Sequence, residues 1–89
     1  MVNELYILLN DGTEHFWQEI YNDLSFISVA QSAVYLSNKF LYPKNKVIAV
    51  RNTNNDCYSV NYNSKNELVK ITKSDYERMK NENSISGNP

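Results

Sequence analysis

Cysteine occurs once, at Cys57, so no disulfide can form within the chain. A chain this small without a disulfide framework suits a reducing compartment. Histidine also occurs once, at His15, and one His with one Cys cannot supply the four ligands of a structural zinc site. No Asp/Asn/Gly spacing resembles a calcium loop. Glycine appears only at Gly12 and Gly87. That excludes a phosphate-cradling loop, a dinucleotide fingerprint and a nucleophile elbow, each of which needs backbone conformations other residues adopt poorly. The N-terminus lacks a basic start and a long apolar run, and no apolar stretch approaches the roughly 20 residues that span a bilayer. None of the fourteen asparagines lies in a glycosylation sequon. These absences predict a cytoplasmic protein with no cofactor, no metal and no membrane partner.

What is present is a single small domain. The 89 residues are 42% hydrophobic and 12% aromatic at a net charge of −1, too apolar for a disordered chain and too short for two cores. Charge is unevenly placed. Residues 1–42 carry five acids and one base, and residues 43–89 carry eight bases and five acids. Such a split can orient a partner.

Hydrophobic periodicity predicts most elements. The apolar run Leu5 to Leu9, ended by Asn10-Asp11-Gly12, reads as a buried strand. The segment after it supports two readings. Asp-Gly between apolar residues signals a hairpin. Yet Phe16, Trp17, Ile20, Tyr21 and Leu24 fall on one helical face, and Asp11 with Glu14 has the spacing of a helix start. The helix over 14–24 is the preferred reading, with Trp17 toward the core and His15 toward water. A second helix is expected from Ser28, which forms a capping box with Gln31, along Val29, Ala33, Leu36 and Phe40, ending before Pro43. Strands are expected over 46–51, 57–62 and 67–72, with Tyr58, Val60 and Tyr62 on one face. Ser74 and Glu77 open a short helix through Lys80, and residues 81–89 read as a flexible tail. The result is an α+β domain over 1–80 in the order βααβββα, with ββαβββα as the alternative. An antiparallel meander carries its helices on one face.

No catalytic set emerges. His15 and Cys57 could pair, but no third orienting group or oxyanion device accompanies them. The basic stretch 44–73, interleaved with Tyr58 and Tyr62, offers a nucleic-acid-binding alternative, against which stands a sequence pI near 5.7. Protein binding is the remaining function. The acidic first helix supplies Glu14, Gln18, Glu19, Asn22 and Asp23 as candidate partner-binding residues, and exposed sheet edges could support a homo-oligomer. The excess of Asn, Tyr, Lys and Ile matches AT-rich coding. In size, compartment and lack of catalytic apparatus, the chain resembles the small single-domain inhibitors of phages and mobile elements, including anti-CRISPR and other anti-defence proteins. That resemblance implies a non-enzymatic inhibitor of a host protein and assigns no residue.

Overall fold

The computed structural model describes residues 3–21, 26–42, 44–60 and 67–86. Strand β1 (Asn3–Leu9) is followed by β2 (Glu14–Ile20) and helix α1 (Phe26–Leu36). A π-helical segment (Ser37–Leu41) continues α1, and β3 (Val47–Asn52), β4 (Cys57–Val60), β5 (Leu68–Ile71) and helix α2 (Lys73–Ser86) complete the order. One antiparallel sheet runs β2-β1-β3-β4-β5, giving the α+β class and the alternative order ββαβββα.

The helix expected over 14–24 is therefore corrected: Glu14–Ile20 is an edge strand, residues 22–24 lie outside the described residues, and a bulge explains the misleading pattern. Leu5 pairs with Gln18 while Tyr6 pairs with Phe16, leaving Trp17 as the extra residue. One inserted residue shifts the alternation by one and puts apolar neighbours side by side, which imitates a helical period. Turn chemistry is equally ambiguous in sequence. Asp11 Oδ1 accepts from the Thr13 backbone N–H at 2.9 Å and from its hydroxyl at 2.6 Å. A helix N-cap would make the same kind of contact, so Asp-Gly-Thr serves either structure.

The helices divide the sheet between them instead of sharing one face. Leu5, Ile7, Leu9, Val47, Val50 and Val60 pack with Phe26, Ala30, Ala33 and Val34 of α1. Leu8, Ile48, Ala49 and Cys57 pack with Tyr76 of α2. The cause lies in the central strands: apolar side chains occupy both parities of β1 and β3, so each face needs a cover.

Helix boundaries also shift. Helix α1 begins at Phe26, so Ser28 and Gln31 lie within its length, exposed, and form no capping box. For α2 the cap is Thr72. Its Oγ1 accepts from the Asp75 N–H at 3.0 Å, and Asp75 Oδ2 reaches back to the Thr72 N–H at 3.5 Å. The helix runs on to Ser86, six residues past the end expected at Lys80, and residues 87–89 lie outside the described residues. Tyr62 of the expected tyrosine face lies outside the described residues, whereas Tyr58 packs beside the Phe26 ring at 5.7 Å.

Ser37, at the start of the π-helical segment, is fully buried, and its hydroxyl has no hydrogen-bond partner among the described residues. An unpaired buried hydroxyl costs about 1 kcal/mol or more, so Ser37→Ala is expected to raise stability by about that amount. Thermal unfolding checks this, and a clear loss of stability would mean the hydroxyl has a partner.

Candidate protein-contact surface

The five sequence-predicted partner residues do not form one site. Glu14 lies inside a network on the α2 face. Its carboxylate accepts from Arg51 Nε at 2.6 Å, Arg51 Nη2 at 2.9 Å and Tyr76 Oη at 2.5 Å. Both ion-pair side chains are more than four-fifths buried. Burial pushes the Glu14 pKa up. The Arg51 and Tyr76 hydrogen bonds and the Arg51 charge overcome this, leaving the carboxyl below its ordinary value. Burial, then the hydrogen bond to Glu14, raises Tyr76 well above the usual phenol range. The Arg51 guanidinium stacks 4.3 Å from the centre of the Tyr6 ring, and Tyr6 meets Phe16 edge-on at 5.7 Å. Glu14 thus tethers α2 to the sheet and is committed to intramolecular partners.

Gln18 and Glu19 are exposed on the edge strand β2, on opposite faces of the sheet. Glu19 sits opposite Glu4, and each acid accepts a tyrosine hydroxyl, from Tyr21 and Tyr6 respectively. Asn22 and Asp23 lie outside the described residues.

His15 and Cys57 also separate. His15 pairs with Ile7 on the α1 face and lies 5.2 Å from the Tyr42 ring. Cys57 is buried on the α2 face, and burial raises its thiol above the ordinary value. No group of three or more His, Cys, Asp or Glu gathers among the described residues as a metal site would require. No helix among the described residues is long and apolar enough to cross a membrane.

The bases of 44–73 are likewise dispersed. Arg51 is on the α2 face with Glu14, Lys70 pairs with Asp56 at 3.1 Å, and Lys73 pairs with Glu77 at 3.3 Å. Lys70 stands opposite Tyr58 on the α1 face. Among the described residues these bases do not form a continuous track across one face, and Tyr58 is part of the core margin.

A different surface stands out. The outer side of α1 and the π-helical segment exposes Ile27, Tyr35, Leu36, Phe40 and Leu41, with Phe40 65% and Tyr35 56% accessible. From Phe26 to Leu41 the sole charged side chain is Lys39. Its ammonium donates to Tyr35 Oη at 3.0 Å and lies over the Tyr35 and Phe40 rings at 5.4 and 5.5 Å. Two adjoining hollows mark this side. One, of about 350 Å³, is lined by Gln31, Ser32, Tyr35 and Leu36. The other, of about 280 Å³, lies between α1 and β2 and is lined by Trp17, Gln18, Ser28, Val29, Ser32 and Leu36. Among the described residues, Gln18 is therefore the sequence-predicted partner residue that borders it. The signal for the rest was readable as the absence of charge from residue 24 through 38. A helix facing water normally carries charge on its outer side.

The fold and this surface define a small α+β domain whose distinctive feature is an uncharged, aromatic helix face. Comparison with protein-family models, with curated proteins and with solved structures finds no match to this chain.

Proposed function

We propose that the chain is a non-enzymatic protein-binding module that acts through the α1 face and the adjoining β2 edge. The observation that carries this reading is the helix face just described. Charge depletion with Tyr, Phe and Leu is the composition of a contact core, whereas a lone solvated helix pays nothing to carry Lys or Glu. The mode of action is occupancy: the module occludes a surface of a host protein in the bacterial cytoplasm. The resemblance in kind to phage- and mobile-element-encoded anti-defence inhibitors supports that part of the reading.

The test is comparative capture. Tagged wild-type chain and a Leu36→Glu/Phe40→Glu variant are used to draw partners from a lysate of the natural host. Both sites are exposed, so the variant should stay within about 0.5 kcal/mol of wild-type stability. A partner bound by wild type is expected to be lost from the variant and kept by a Val69→Lys control on the opposite sheet face. Equal capture by all three would remove the α1 face from the interaction.

A further inference from the structure

The two helices are held to the sheet by different means. From this we infer that α2 is a releasable cover: it leaves as a unit while the five strands and α1 stay folded, and its departure opens Cys57 to solvent. Three observations lead there.

The first is how little apolar surface anchors α2. Helix α1 sends Phe26, Ala30, Ala33 and Val34 into its core. Among the described side chains of α2, Tyr76 alone is buried, with Met79 partly buried in the same cluster. All its other described side chains are polar and at least partly exposed. An element with few buried apolar contacts opens at a lower free energy than the whole fold.

The second is the nature of the latch. Tyr76 Oη donates to Glu14, and Lys73 Nζ donates to Asn55 Oδ1 at 3.2 Å. Glu14 and Arg51 both belong to the sheet, so their ion pair outlasts the departure of α2 and regains water. Rehydration returns part of the desolvation cost of a buried pair, which makes release easier than the broken contacts alone suggest.

The third is topology. The pairing order β2-β1-β3-β4-β5 includes no residue of α2, and no described strand or helix follows it. Release therefore breaks no ladder hydrogen bond. It uncovers Leu8, Ile48, Ala49 and Cys57, the cluster that Tyr76 completes.

Alkylation by N-ethylmaleimide under native conditions tests the inference, because Cys57 is the sole thiol and has no accessible surface while α2 is docked. In wild type, labelling is expected to outpace what global unfolding allows by at least about tenfold, with a urea dependence well below the global m-value. Glu14→Ala leaves Arg51 and Tyr76 unpaired only in the docked state, so it should speed labelling about a hundredfold. Val34→Ala, in the core beneath α1, should lower global stability and leave labelling without urea unchanged. Hydrogen exchange locates the opening. The α2 amides should open with the free energy measured at the thiol, and those of β1, β3 and β4 with that of global unfolding. Labelling that follows the global m-value and quickens in step with Val34→Ala overturns the inference, as does a thiol that stays silent while the sheet is folded. Loss of β4 protection together with the thiol would place the opening at the β4–β5 edge and overturn it as well.

Discussion

Replacing Glu14 by Ala is expected to destabilise the chain by about 3 kcal/mol, because the substitution strands two partners in a mostly dry site. Arg51 loses both its hydrogen bonds to the carboxylate, and Tyr76, fully buried, loses the acceptor of its hydroxyl. For a domain of this size that corresponds to a fall in Tm of roughly 15 °C. Replacing Glu14 and Arg51 together by methionine should cost less than the sum of the single changes, since no unpaired charge remains. The pH dependence has a defined sign. The folded pKa of Glu14 lies below its unfolded value, so its stabilisation is complete above about pH 4.5 and is lost as pH falls through the folded pKa. Asp11 and Asp56 are lowered too, by hydrogen bonds from Thr13 and Asn52 respectively, and act in the same direction. Glu14→Gln is therefore expected to flatten, without abolishing, the acid limb of a stability–pH curve from urea melts. An acid limb identical to wild type would show that the carboxylate does not hold α2 to the sheet.

The second large effect is expected at Gly12. Its φ of +86° lies in the region that L side chains avoid, and a Cβ there would stand 2.5 Å from the Ser84 backbone nitrogen. Gly12→Ala must therefore strain the β1–β2 turn and push the C-terminal part of α2 away, at an expected cost of about 2–3 kcal/mol. Asn tolerates positive φ but keeps a Cβ, so Gly12→Asn isolates the collision with α2. Both variants should lose hydrogen-exchange protection over residues 80–86 ahead of the sheet. A loss below about 0.5 kcal/mol, the size of an ordinary surface change, with unchanged α2 protection would refute the close approach.

These two residues show why part of the fold was readable and part was not. The apolar runs of β1 and β3 announce buried strands, and their length without alternation already implies covers on both sheet faces. The alternation of Cys57, Tyr58, Ser59 and Val60 gave β4 and the side on which Tyr58 faces the core. Segment 14–20 failed because the bulge at Trp17 breaks the two-residue period, and a bulge depends on the pairing partner, not on local sequence. The role of Glu14 was hidden for the same reason. Its partners Arg51 and Tyr76 are 37 and 62 positions away, and only the sheet order with α2 beneath it brings them together. By contrast, the α1 face lay in plain sequence as a long stretch without charge. The apolar line Val29, Ala33, Leu36 and Phe40 does not by itself tell a core-facing side from an exposed one. In the fold Ala33 points inward, while Leu36 and Phe40 remain outside.

The central claim is that protein covers the α1 face in the working molecule, and hydroxyl-radical footprinting measures that cover directly. Phe16 at 53% and Val69 at 47% accessibility, on the opposite sheet face, match Tyr35 at 56% and Leu36 at 40% closely enough to serve as internal references. In lysate of the natural host, Tyr35, Leu36 and Phe40 are expected to be protected several-fold relative to those references, allowing for intrinsic reactivity. Protection should disappear in Leu36→Glu/Phe40→Glu at Tyr35. Labelling of the α1 residues in line with Phe16 and Val69 in that lysate would contradict the account.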